Sequence, residues 1–332
     1  MNEQSSTGTS FRDSKPQPVL SIVSTLYYSD QFLPEFIARC QSAMDQFGKT
    51  AELILVDDGS PDRSLETAMF FAKKDPRIVV VSLSRNFGHH AAILTGLAQC
   101  RGELIFFVDS DLEEDPALVS QFHDVMIGEK VDVVFGIHDQ IVGSKMRRLS
   151  SSLFWKLFNI LSEIKTPPNI CNIRLMNRNY VEALLSMPER SVFLGGMFVW
   201  AGFKQRPFKV VRSINRAEST YNLTRRLALM ISSLVSFSSK PLHLLFWVGN
   251  SISIVSFLVA IFYFIAKIMN PASVLSGFTA IIISVWFLSG LIIASIGLVG
   301  LYISYIYREV KARPRTIVSS IYQSDGNNDG AS

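Results

Sequence analysis

Cysteine is scarce. Cys40, Cys100 and Cys171 are the only three in 332 residues, and they lie far apart. That spacing excludes a zinc ribbon or a Cys-x-x-Cys redox motif, and an odd number excludes a complete disulfide framework. All three are expected to be reduced and buried. Charge is missing from two long stretches: Pro241 to Ala266 and Ile268 to Tyr307 hold no Asp, Glu, Lys or Arg. Two ordinary soluble helices do not stay free of charge for so long, and each stretch exceeds the ~20 residues that cross a hydrocarbon core of about 30 Å. A nucleic-acid-binding motif is also lacking. The net charge of +4 gathers beside the apolar stretches, where it suits anionic lipid rather than nucleic acid. Met1 to Pro18 is polar and has no apolar core, so no signal peptide is expected in it.

The two charge-free stretches read as a membrane hairpin turning at Lys267-Ile268-Met269-Asn270-Pro271. Arg225, Arg226 and Lys240 precede it, and Arg308, Lys311, Arg313 and Arg315 follow it, whereas the turn offers only Lys267. Positive charge stays on the cytoplasmic side, so both termini are expected there. Gly290/Ala294 and Gly300/Ser304 place small residues four apart, as close helix pairs require. The expected division is a disordered leader at 1–17, an α/β domain at 18–220, a juxtamembrane amphipathic helix at 221–240, the two-helix hairpin at 241–310, and a basic, disordered cytosolic tail at 311–332.

Within 18–220 short apolar runs alternate with helical spacing. Strands are expected at 19–24, 53–56, 78–83, 104–108 and 131–135, and helices at 33–47, from about Ser60–Asp62 to Ala72, and from the Ser84–His90 loop to Gln99. Such alternation predicts a doubly wound, mostly parallel sheet. Two further amphipathic segments follow, at 149–164 and 221–237. Either interfacial binding or packing on the sheet accounts for the first; the second adjoins the hairpin and suits the interface.

Ligands of open α/β sheets sit beyond the carboxyl ends of the strands. Three strand ends here carry polar signatures: Asp57-Asp58, the Asn86/His89 loop, and Asp109-Ser110-Asp111. Asp109 and Asp111, two apart after Ile105–Val108, can converge on a hard divalent cation such as Mg²⁺ or Mn²⁺. The same residues also suit a solvated acidic loop before the helix start at Asp115-Pro116.

Val56-Asp57-Asp58-Gly59-Ser60, Ser84-Arg85-Asn86-Phe87-Gly88-His89, Asp109-Ser110-Asp111-Leu112 and Arg174-Leu175-Met176, followed by two apolar spans, occur in the order found in inverting glycosyltransferases of family 2. The chain resembles that family over about residues 18–315, and within it the dolichol- and undecaprenyl-phosphate sugar synthases. The resemblance implies a GT-A fold, a nucleotide-sugar donor, a polyprenyl-phosphate acceptor, and a place in the bacterial inner membrane with the catalytic domain cytosolic. A homo-oligomer and a separate flippase are partners of the same kind. It also implies that Tyr27, Asp57, Asp58, Asn86 and Asp109 meet the nucleotide sugar. Asp109, Asp111 and Glu113 would hold the metal, Arg148 and Arg174 would meet phosphates, and Asp111, Asn172 and Arg174 would serve catalysis.

Several positions depart from the family pattern. Pro-x-Tyr-Asn-Glu is replaced by Thr25-Leu26-Tyr27-Tyr28-Ser29, and Asp-x-Gly-Asp-Phe-Arg-Leu by Asn169-Ile170-Cys171-Asn172-Ile173-Arg174-Leu175. His138 and Gly195 stand where Arg is common. Asn172 cannot act as a base. A hydroxyl acceptor needs one, whereas a phosphate monoester, with a second pKa of about 6, is already largely ionised at neutral pH. Two other readings are a transferase acting on a glycolipid or saccharide hydroxyl, and a non-catalytic, membrane-anchored nucleotide-sugar-binding protein. The Gln-x-x-Arg-Trp motif of processive members is absent.

Overall fold

The computed structural model describes residues 17–138, 170–189, 192, 194–211, 238, 240–269 and 278–324. Arg148, Asn169 and the amphipathic segments at 149–164 and 221–237 lie outside the described residues. The chain divides into two compact units: Met1–Ser150, Thr166–Thr220 and Pro314–Ser332 form the first, and Ser151–Lys165 and Tyr221–Arg313 the second.

The first unit is built on an eight-stranded sheet. Its elements run β1 (Leu20–Leu26), α1 (Leu33–Phe47), β2 (Ala51–Asp57), α2 (Ser64–Lys74), β3 (Ile78–Leu83), α3 (His89–Gln99), β4 (Leu104–Phe107), α4 (Leu118–Glu129), β5 (Val133–His138), β6 (Ile170–Asn177), α5 (Arg178–Ser186), α6 (Leu194–Trp200), β7 (Gln205–Val210) and β8 (Val318–Gln323). All seven residues of β1 and all six of β3 are buried, which explains their unbroken apolar character: a parallel strand covered on both faces has no polar side. Leu33, Phe36, Ile37, Cys40 and Met44 on α1 supply a helical stripe to the core. That helix stops where Gly48 takes a left-handed conformation.

The strand order is β7-β5-β6-β4-β1-β2-β3-β8. β4, β1, β2 and β3 are mutually parallel. The expected mostly parallel sheet is therefore mixed: β6 runs antiparallel to β4 and β5, and β8 antiparallel to β3. The fifth strand begins two residues later than expected and runs on to His138.

The tail expected to be disordered contains β8. Val318–Gln323 pairs with β3, Ser84 N donates to Ile317 O at 2.9 Å, and Gln323 Nε2 donates to Pro76 O at 2.9 Å. Thr316 Oγ1 lies 2.7 Å from Thr95 Oγ1, and Arg315 donates to the carbonyls of Met187 and Glu189. The open edge of β3 offers unpaired amides and carbonyls, and these bonds satisfy them. The correction is physical: β-pairing across more than two hundred residues leaves no local periodicity to read.

The second unit contains α7 (Lys240–Met269) and α8 (Phe278–Val310), which occupy the two charge-poor stretches. Tyr302 OH donates to Ser238 O at 2.7 Å. Among the described residues one segment, Leu288–Val310, is long and apolar enough to cross a membrane, by length and composition. Ile292, Ile293 and Ile296 within it are exposed.

Candidate active site

The polar strand ends converge where β1, β2 and β4 finish. Gly59 has φ +62°, and a Cβ there would stand 2.6 Å from the backbone of Arg85 and Asn86. Only glycine lets the turn after β2 approach the loop after β3 so closely. Asp58 then accepts from Phe87 N at 2.7 Å and Gly88 N at 3.0 Å. The Asp-Asp-Gly and Arg-Asn-Phe-Gly signatures are thus two halves of one joint. Asp57 accepts from Ser60 N at 3.2 Å. Both carboxylates are buried. Burial pushes the Asp57 carboxyl up to about 6 against the pull of the Ser60 and Gly59 amides, and raises that of Asp58 despite the Phe87 and Gly88 amides.

Asp58 is therefore committed to holding the loop. Tyr27 and Asn86 are exposed at this end of the sheet. The Arg85 guanidinium lies 4.2 Å from the centroid of the Phe87 ring.

Asp109, two residues after β4, Asn172 on β6 and His89 at the start of α3 form one cluster. Asn172 Nδ2 donates to Asp109 Oδ2 at 3.0 Å and lies 3.3 Å from His89 Nε2. His89 Nε2 is 3.4 Å from Asp109 Oδ1, and its Nδ1 is 3.1 Å from Thr25 Oγ1. With the proton on Nδ1, His89 donates to Thr25 and accepts from Asn172; with it on Nε2, it faces Asp109 as a donor. Among the described residues Asp109 Oδ1 is buried and, apart from His89 Nε2 at 3.4 Å, has no hydrogen-bonding partner. Asp111 Oδ1 accepts from Glu113 N at 3.1 Å, and Leu112 between them takes φ +60°. Asp109, Asp111 and Glu113 offer oxygen donors of the kind a hard divalent cation takes, but among the described residues their carboxylates are not gathered into one cluster.

Arg174 is 3% exposed. Its Nε donates to Asn172 O at 3.0 Å, its Nη2 to Cys171 O at 3.4 Å, and its guanidinium stacks 3.3 Å from the Phe198 centroid. Burial lowers its pKa to about 10 although Tyr180 and Asp109 pull it up, so it stays charged at neutral pH. The side chain expected to meet a phosphate instead braces the backbone that carries Asn172. The structure also brings in two residues that the sequence reading left without a role, Thr25 and His89. The signal for His89 was its place at the end of the Ser84–His89 signature.

The profile of glycosyl transferase family 2 matches residues 21–185. A provisionally named glycosyltransferase of Mycobacterium tuberculosis (strain CDC 1551 / Oshkosh) is 40% identical, covering 92% of this chain and 89% of that protein. The chain belongs to glycosyltransferase family 2. It is a glycosyltransferase, and its mixed, mostly parallel α/β architecture is GT-A-like. An undecaprenyl-phosphate 4-deoxy-4-formamido-L-arabinose transferase of Pseudomonas paraeruginosa (strain DSM 24068 / PA7) is 32% identical, covering 93% of each chain. Among solved structures, glucosyl-3-phosphoglycerate synthase from M. tuberculosis, in complex with Mn²⁺, UDP and its product, aligns over 70% of this chain and 85% of that one, with 19% identity and a TM-score of 0.45.

Proposed function

We propose that this glycosyltransferase moves a sugar, with inversion, from a nucleotide-sugar donor to a polyprenyl phosphate of the undecaprenyl type at the cytosolic membrane face. The observation that carries this reading is Asn172. An amide, bonded to Asp109, stands in the polar cluster at the position where the family pattern has an acid. A phosphate acceptor arrives already ionised and needs positioning, not deprotonation. The undecaprenyl-phosphate acceptor for which the Pseudomonas relative is named supports the same acceptor class.

In this reading Tyr27 and Asn86, exposed at the strand ends, receive the nucleoside beside Asp57, and Asp58 fixes the loop that carries Asn86. Asp109, Asp111 and Glu113 hold Mg²⁺ or Mn²⁺, which when bound neutralises charge on the departing diphosphate. Asn172 orients Asp109, and Arg174 acts as a positioning residue for Asn172. Arg148 remains a proposed phosphate ligand. α7 and α8 form a two-span anchor in the bacterial inner membrane, with both termini cytosolic; the basic flanks and the apolar exposed face of α8 support this.

A second reading has an observation of its own. His89, 3.3 Å from Asn172 and 42% exposed, is a base for a hydroxyl acceptor. The test is transfer of labelled sugar from a panel of nucleotide sugars to undecaprenyl phosphate by the full-length chain. One donor is expected to give lipid-extractable, mild-acid-labile label, and His89→Gln is expected to retain most of the rate. No lipid product from any donor contradicts the proposal, and abolition by His89→Gln favours the hydroxyl reading.

A further inference from the structure

We propose that Glu114, His138 and Cys171 form a second metal site, built for a thiolate-binding divalent transition ion of the Zn²⁺ class. One donor atom from each lies within 4.8 Å of the others, and His138 Nε2 is 3.5 Å from Glu114 Oε1. Three separate elements deliver them: the turn after β4, the last residue of β5 and the second residue of β6. Ile137 pairs with Ile170, so the neighbouring His138 and Cys171 fall at the same end of the β5–β6 ladder. Gly136 makes the approach possible. A Cβ there would stand 2.5 Å from Ile173 Cγ2 and 3.5 Å from Cys171 Cβ.

The donor chemistry separates this cluster from the neighbouring carboxylates. Asp109, Asp111 and Glu113 offer only oxygen, which suits Mg²⁺ or Mn²⁺. One thiolate, one imidazole and one carboxylate suit Zn²⁺, with a fourth position left for water. Glu114 and Cys171 are each 5% exposed. A metal takes the thiol as thiolate, and a divalent ion offsets the charge of a buried thiolate and carboxylate. His138 and Cys171 are, moreover, two of the positions where this chain leaves the family pattern. Cys40 and Cys100 join no comparable group among the described residues.

The consequence is positional. Glu114 follows Asp111 and Glu113 in one turn, and Cys171 precedes Asn172 and Arg174 on β6. An ion held by the three pins that turn to the strand carrying Asn172. Chelators then act on the protein at two places, and Mg²⁺ restores only one of them. This inference is independent of the acceptor.

The full-length chain in detergent is stripped with chelator and reloaded with Co²⁺. We expect one thiolate-to-Co²⁺ charge-transfer band in the near ultraviolet, titrating to one ion per chain. Equimolar Zn²⁺ bleaches it, and excess Mg²⁺ does not. Cys171→Ser removes the band. His138→Gln, which keeps the thiol and guards against a misfolded Cys171→Ser, weakens Zn²⁺ by more than the about 10–100-fold that loss of a ligand's neighbour costs. A wild-type chain without the band, a band that survives Cys171→Ser, or unchanged Zn²⁺ affinity in His138→Gln overturns the site.

Discussion

The two halves of the sheet differ in what holds their functional groups. On the β1–β2–β3 side the groups are held by backbone: Asp58 by the Phe87 and Gly88 amides, Asp57 by the Ser60 amide, and the whole joint by the close approach at Gly59. On the β4–β6–β5 side they are held by other side chains: Asn172 on Asp109, His89 between them, and His138 beside Glu114. Asp58, which accepts from two amides of the neighbouring loop, cannot be exchanged without loosening that loop. Departures from the family pattern fall on both sides: Thr25, Tyr28 and Ser29 at the end of β1, and Asn172, Cys171 and His138 on β6 and β5. We read the first half as the side that receives the donor and the second as the side that sets acceptor and metal preference.

Asp111→Ala is the largest way to break this comparison. Loss of an electrostatic stabiliser of the leaving group is expected to cost about 10²–10³-fold in transfer rate with an unchanged circular dichroism spectrum. A rate within a few-fold of wild type removes the metal from the account. Removal of 314–332 comes next. It uncovers the edge of β3, and the lost ladder hydrogen bonds, at about 1 kcal/mol each, are expected to lower Tm by several degrees. An unchanged Tm makes β8 an ornament. Arg174→Lys keeps the charge but loses the fork and the stacking on Phe198; about 1–2 kcal/mol of stability is expected to go with it. Equal stability of the two proteins, measured by denaturant unfolding, contradicts the bracing role.

Asp57 gives a pH-dependent test of the first half. Its folded pKa of about 6 lies above the ordinary 3.8, so the fold favours its protonated form. That contribution is complete below about pH 4 and is lost as pH rises through about 6. Asp57→Asn is therefore expected to gain stability relative to wild type between pH 4 and pH 7, while its KM for donor rises at neutral pH. A stability difference that does not change with pH counts against the burial of Asp57. Asn172→Asp carries the smallest expected effect, within about threefold of wild type and in the direction of loss, because a new anion stands beside Asp109 and the incoming phosphate. A gain of orders of magnitude contradicts the phosphate-acceptor account.

Much of the first half was legible in the sequence. The strand expected at 78–83 and the helix at 33–47 coincide with β3 and α1, because buried parallel strands and amphipathic helices leave strong local patterns. β6, β7 and β8 escaped. Ile170–Asn177 alternates weakly, Gln205–Val210 is half exposed, and Val318–Gln323 owes its conformation to a partner far away in sequence. The candidate site divides in the same way. Asp57, Asp58, Asp109 and Asp111 announce themselves at strand ends. The burial of Arg174, the hub at His89 and the grouping of Glu114, His138 and Cys171 arise from pairing between β4, β6 and β5, which no single stretch records.

The central claim is that the acceptor supplies its own charge. It is tested most directly by presenting the full-length chain, saturated with donor, with a polyprenyl phosphate and with the polyprenol of the same length. Donor saturation keeps the Asp57 ionisation out of the comparison. The account predicts sugar transfer to the phosphate and none to the alcohol, with an acidic limb at about pH 6 set by the acceptor's second ionisation. Transfer to the alcohol, or to a glycolipid hydroxyl, at a rate equal to or above that for the phosphate contradicts it.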